Sequence, residues 1–205
     1  DETLTTNQPL AESVGPLAGW QPGQVRRAVY HLPTSPRFAG DSLDVRVSAA
    51  GQPDISVGQV RLQTRPHLFE PPASANPLNV AFGDPPLITL LGFDASATRN
   101  AQYQLTLYWQ ANSEIDTNYT VFVQLLNPAG QVVAQQDSQP LGGAAPTTTW
   151  LPGEILTDPY TLNLPPELPP DDYRLITGLY NPVTGRRLLT ASGADFVELP
   201  PVTVR

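Results

Sequence analysis

Proline and glycine punctuate this chain so densely that it has almost no room for a helix. Its 205 residues include 24 Pro and 15 Gly, and one or the other interrupts almost every window of ten to twelve residues. An interior Pro removes a backbone donor and costs a helix about 3 kcal/mol. The one long exception is Phe93–Asn127, and it alternates. Tyr103, Leu105, Leu107 and Trp109 fall on one side, while Gln104, Thr106, Tyr108 and Gln110 fall on the other. A period of two marks a half-buried strand with its apolar side inward. Polar residues Asn112–Asn118 then turn the chain, and Tyr119, Val121, Val123 and Leu125 form the next inward face.

Asn127-Pro128-Ala129-Gly130 follows, with Gln131–Gln136 returning as a strand. Pro presets φ and Gly accepts positive φ, so this segment reads as a hairpin. The same device recurs at Asn181-Pro182-Val183-Thr184-Gly185, between Tyr173–Tyr180 and Arg187–Ala191. Leu87–Phe93, Ile155–Leu164 and Phe196–Val204 read as further strands. Short strands divided by turn clusters specify an all-β protein, a sandwich of immunoglobulin-like or jelly-roll-like kind. Leu164–Pro170 (Leu-Pro-Pro-Glu-Leu-Pro-Pro) reads as a stiff crossover between two strands rather than a polyproline ligand.

The chain also repeats itself. Trp20-Gln21-Pro22-Gly23-Gln24-Val25 resembles Trp150-Leu151-Pro152-Gly153-Glu154-Ile155 at an offset of 130. At that offset Tyr30 matches Tyr160, Leu32 matches Leu162 and Asp41 matches Asp171, while Leu43 and Val45 stand where Tyr173 and Leu175 do. Similarity at a fixed offset marks repeated structural units. Nothing before Gln8 corresponds to the strands between Leu87 and Gln136. Residues 1–64 therefore read as a partial sandwich of three strands, near Gln24–Leu32, Asp41–Ser48 and Ile55–Gln63. Residues 65–77, rich in Pro, read as a linker, and 78–205 as a complete sandwich. A half-sandwich leaves one apolar face open, and such a face is usually covered. We expect it to pack on the complete unit or to self-associate.

Composition removes several functions. The chain has no Cys, which excludes disulfides, thiolate metal sites and thiol nucleophiles, and no Lys, which excludes P-loop and Schiff-base lysines. The net charge is −8, and the eleven Arg form no basic stripe, which argues against nucleic acid. Charged residues make up 15%, below the ~25% of a typical soluble domain. No apolar run approaches the ~20 residues of a membrane-spanning helix. The chain opens without Met or a signal-peptide pattern and reads as a mature or excised part of a longer protein.

The second unit resembles a known bacterial module. The resemblance lies in Phe82-Gly83-Asp84, Leu90-Leu91-Gly92-Phe93, Leu107-Tyr108-Trp109-Gln110 and Tyr119–Leu126. It continues through Asp137-Ser138-Gln139-Pro140, Pro146-Thr147, Trp150–Glu154, Asp158, Tyr173-Arg174-Leu175 and Gly178-Leu179-Tyr180, spanning 79–205. These segments resemble the β-sandwich modules appended to polytopic bacterial glycosyltransferases of the dolichyl-phosphate-mannose-dependent mannosyltransferase type and to related envelope proteins. In those proteins the transfer chemistry belongs to the membrane-embedded part. The resemblance therefore implies an extracytoplasmic accessory role, a membrane-anchored parent chain and no catalytic residue. A His commonly stands in such modules where this chain has Gln124.

Candidate chemistry is thin. Asp171-Asp172 reads as a solvated turn; Glu154 and Asp158, four apart, read as edge or loop polar residues. Asp41, Asp44 and Asp54 have no EF-hand spacing, and His31 and His67 each stand alone. No Gly-x-Ser-x-Gly elbow appears. We expect no catalytic residue, no cofactor and no metal site. The aromatic residues carry what functional signal there is. Trp109 belongs to the core, whereas Trp20 and Trp150 precede equivalent Pro-Gly turns and share a packing role. Tyr108 and Phe122 fall on outward faces of successive strands and are read as pairing across them. Tyr108, Phe122 and Trp150 are thus the candidate ligand-binding residues, with envelope glycan or protein as the partner. The leading reading is a spacer, docking or accessory module; the alternative is a carbohydrate-binding module using outward aromatics.

Overall fold

The computed structural model describes residues 21–24, 41–47, 53–62, 65–99 and 102–204, with backbone alone for 97–99. The chain divides into two units, residues 1–64 and 65–205. In the first, β1 (Ser42–Val47) and β2 (Ile55–Arg61) form an antiparallel two-stranded sheet. A bulge places Val57 between the residues opposite Val45 and Arg46, beside Gly58 at φ 152°. Most of the expected strand Gln24–Leu32 lies outside the described residues, as do Trp20 and His31.

The second unit is an all-β sandwich. Its strands are β3 (Asn76–Phe82), β4 (Ile88–Arg99), β5 (Gln102–Ala111), β6 (Thr120–Leu126), β7 (Val132–Ser138), β8 (Ile155–Asn163), β9 (Asp171–Tyr180) and β10 (Val197–Val204). They form two four-stranded antiparallel sheets, β3-β4-β5-β8 and β10-β9-β6-β7. The alternation read from the sequence sets the core. Tyr103, Leu105, Leu107 and Trp109 of β5 meet Val121, Val123 and Leu125 of β6, with Tyr160, Leu162, Tyr173 and Leu175 between the layers. Each such side chain removed from water contributes about 1.5–3 kcal/mol. The Pro-rich run 164–170 carries the chain from β8 in one sheet to β9 in the other, and Tyr173 Oη donates to Pro169 O at 2.9 Å.

Two elements differ from expectation. Arg187–Ala191 is not a strand. Arg187 bridges Tyr180 of β9, whereas Thr190 bridges Phe82 of β3. The segment passes from one sheet's strand to the other's, so it cannot run along either. Residues 65–77 carry specific contacts of the second unit instead of spanning open space. Leu68 bridges Ile155 of β8, and Asn76-Pro77 already belong to β3, an edge strand where Pro is tolerated.

The other edge strand, β8, explains Asp158-Pro159. Ile155 N donates to Leu68 O at 2.7 Å, and Thr161 N donates to the side chain of Gln136 at 2.8 Å. The odd-numbered residues of β8 therefore aim their N–H groups away from β5. Pro159, which has none, falls at one of those positions and costs the ladder nothing.

Candidate functional site

The three candidate rings are all covered. Trp150 is buried, and its indole N–H donates to Ala145 O at 2.9 Å. Tyr108 is buried on the outer face of β5 and donates to Asp94 Oδ2 at 2.7 Å; that bond, with one from Ala75 N, holds the Asp94 carboxyl below its usual range. Phe122 is buried on the outer face of β6. The expected pairing of Tyr108 with Phe122 does not occur, because β5 and β6 lie in different sheets. Tyr108 stands opposite Gly92 and Thr157, and Phe122 stands opposite Asp137 and Gly178.

Phe122 lies at the centre of a cluster that no sequence pattern marked. The Arg187 guanidinium lies 4.2 Å from its ring centroid, a cation–π arrangement. Arg187 also donates to Asp195 Oδ2 and to Gln124 Oε1, each at 3.2 Å. Tyr180 packs beside the ring at 6.5 Å, and Leu126 and Ile176 complete the patch. Asp137 borders it: desolvation raises its carboxyl pKa, against a hydrogen bond from Tyr180 and the charge of Arg187. Gly178 makes the close approach possible, since a Cβ there would sit 2.7 Å from Phe122 Cζ. The cluster clamps the 181–196 loop onto the outer face of the sheet.

Glu154 lies in the turn before β8 and Asp158 on that edge strand, yet neither faces solvent. Both are fully buried. Glu154 closes the Trp-Leu-Pro-Gly turn: its N donates to Leu151 O and its Oε2 accepts from Leu151 N, both at 2.8 Å. Gly153 supplies the positive φ of 83° that the turn needs. Arg65 Nη1 pairs with Glu154 Oε1, and His67 Nδ1 lies 2.9 Å from Oε2 without hydrogen-bond alignment. A buried carboxylate needs such partners, because its desolvation is expensive.

Asp158 points between the sheets. Its Oδ1 accepts from Leu141 N at 2.8 Å and its Oδ2 from Tyr160 Oη at 2.7 Å. Burial pushes its pKa up to about 6, against the opposing pull of Leu141 N, Tyr160 and the Trp109 indole. The indole N–H itself makes no hydrogen bond of good geometry. Burial first, and the Asp158 charge second, raise the Tyr160 hydroxyl pKa. A general acid needs a raised pKa, but it must also reach a substrate proton. Asp158 instead anchors the 140–143 turn, where Leu141 takes a left-handed φ of 54°.

The remaining candidate carboxylates each have local partners. Asp171 and Asp172 open β9 on the surface; Asp171 Oδ1 accepts from Asp172 N, and Asp172 Oδ1 from Thr203 Oγ1. Asp41 accepts from Ser42 Oγ and Asp44 from Gln59. Among the described residues no group of three His, Asp or Glu is placed to hold a metal ion. Comparison of the sequence with protein-family models and with curated protein sequences finds no match.

Proposed function

We propose that the chain is a non-catalytic, extracytoplasmic β-sandwich module, a spacer, docking or accessory part of a larger envelope or membrane glycosyltransferase-type protein. One observation carries this reading over carbohydrate binding: the three candidate rings are spent on the protein itself. Tyr108 is hydrogen-bonded to Asp94, Phe122 lies beneath Arg187, and Trp150 is tied to Ala145. The two carboxylates of greatest chemical promise, Glu154 and Asp158, hold a turn and a 3₁₀ segment in place. The location and the parent protein rest on the resemblance of 79–205 to glycosyltransferase-appended modules.

The test is a titration of the full chain with bacterial and plant polysaccharides, following Trp emission and amide shifts. The expected result is blue-shifted emission with no saturable response. Saturable binding of one glycan, abolished by substitution at Tyr108 or Phe122, overturns the reading in favour of a carbohydrate-binding module.

A further inference from the structure

The internal repeat is reproduced in three dimensions. Gln24 N donates to Gln21 O at 3.1 Å and Gln24 Oε1 accepts from Gln21 N at 3.2 Å, with Gly23 at φ 84°. These are the bonds of Glu154 with Leu151 and the backbone of Gly153. The hairpin register repeats as well. Ser42 faces Arg61 and Leu43 faces Val60, as Asp172 faces Thr203 and Tyr173 faces Val202. Thus β1 and β2 stand for β9 and β10.

In the complete unit the second edge of β9 is filled by β6, with Arg174 opposite Leu126 and Ile176 opposite Gln124. Their counterparts are Asp44 and Arg46 of β1, which pairs with β2 alone among the described residues. Val202 is 3% exposed and Val197 9%, whereas their counterparts Val60 and Ile55 are 49% and 63% exposed.

We infer that β1 pairs antiparallel with β1 of a second copy across a two-fold axis at Val45, joining two hairpins into one four-stranded sheet. Backbone direction permits it. Asp41 O accepts from Leu62 N at 2.7 Å, so odd residues of β1 turn their backbone groups to β2, and Ser42, Asp44 and Arg46 turn theirs outward. Only registers pairing residues of like parity satisfy those groups. Centred on Asp44, the pairing opposes Asp44 to itself; centred on Arg46, it opposes Arg46 to itself. Centred on Val45, it sets Asp44 against Arg46 twice on one face, and Leu43 against Val47 twice around Val45–Val45 on the other. Unlike charges and apolar neighbours both favour that register, and an isologous contact of this kind closes as a dimer. The pairing does not depend on what the sandwich is attached to.

The test uses the full chain in sedimentation equilibrium. A dimer is expected, weakened about tenfold by Asp44→Arg or by Arg46→Asp, since each turns two unlike pairs into like ones, and restored by the double exchange. Because the chain has no Cys, Val45→Cys gives a disulfide-linked dimer on oxidation, and Val60→Cys on β2 does not. A monomer at hundreds of micromolar, or a dimer indifferent to the charge exchanges, overturns the pairing.

Discussion

Tyr160 Oη donates to Asp158 Oδ2 at 2.7 Å, two residues apart on the inward side of β8. Burial raises the folded-state pKa of Asp158 from 3.8 to about 6. A carboxyl whose folded pKa is raised contributes its stability below the unfolded pKa and loses it as pH rises through the folded one. This residue therefore lowers stability progressively between pH of about 4 and 6, by roughly 3 kcal/mol at most. Asp158→Asn removes that dependence: denaturant melts from pH 4 to 7 show a wild-type-minus-variant difference falling with pH, then flat above about 6. Asn supplies an acceptor to Leu141 N and keeps the 140–143 turn closed.

Glu154 separates two effects. Glu154→Gln keeps an oxygen for Leu151 N, as Gln24 does for Gln21 N, and loses the charge facing Arg65. We expect about 1–2 kcal/mol of destabilisation by urea melts. Glu154→Ala also strips the acceptor from Leu151 N and leaves Arg65 without its counter-ion, and costs about 3 kcal/mol or more. Equal costs would mean that the turn bond contributes nothing.

Gly178→Ala places a methyl 2.7 Å from the Phe122 ring, which Arg187 and Tyr180 hold in place. Overpacking of this kind costs about 1–3 kcal/mol. Shrinking the ring by Phe122→Leu in the same chain returns part of that loss, so the double variant is more stable than the sum of the singles requires.

Arg187→Ala removes the cation–π contact and the bonds to Asp195 and Gln124. Stability falls by about 1–2 kcal/mol. Amide exchange rises first in 181–196, because that loop loses its clamp while the two sheets keep theirs. Uniform acceleration across β6 and β9 would show instead that Arg187 supports the whole sandwich.

The strands around Trp109 and Val123 were legible because alternation reports which face a residue takes. It does not report which strand lies next door. Tyr108 and Phe122 have the outward faces expected of them, but the turn after Ala111 carries the chain into the other sheet, so the two never meet. The burial of Glu154 and Asp158 was not legible for a related reason. Charge in a sequence suggests water, and the counter-ion of the buried Glu154 is Arg65, 89 residues earlier. Arg187 carried no signal, because cation–π contacts have no spacing rule. The Trp-x-Pro-Gly repeat was legible at both copies because its bonds close within four residues.

The attachment of Arg65, His67 and Leu68 to β8 has a mechanical consequence. A pull on the second unit from its N-terminal end meets the Arg65–Glu154 pair and the Leu68–Ile155 bridge before it reaches β3. Tension from that end therefore loads a short tether seated on β8, the far edge strand, before it loads β3.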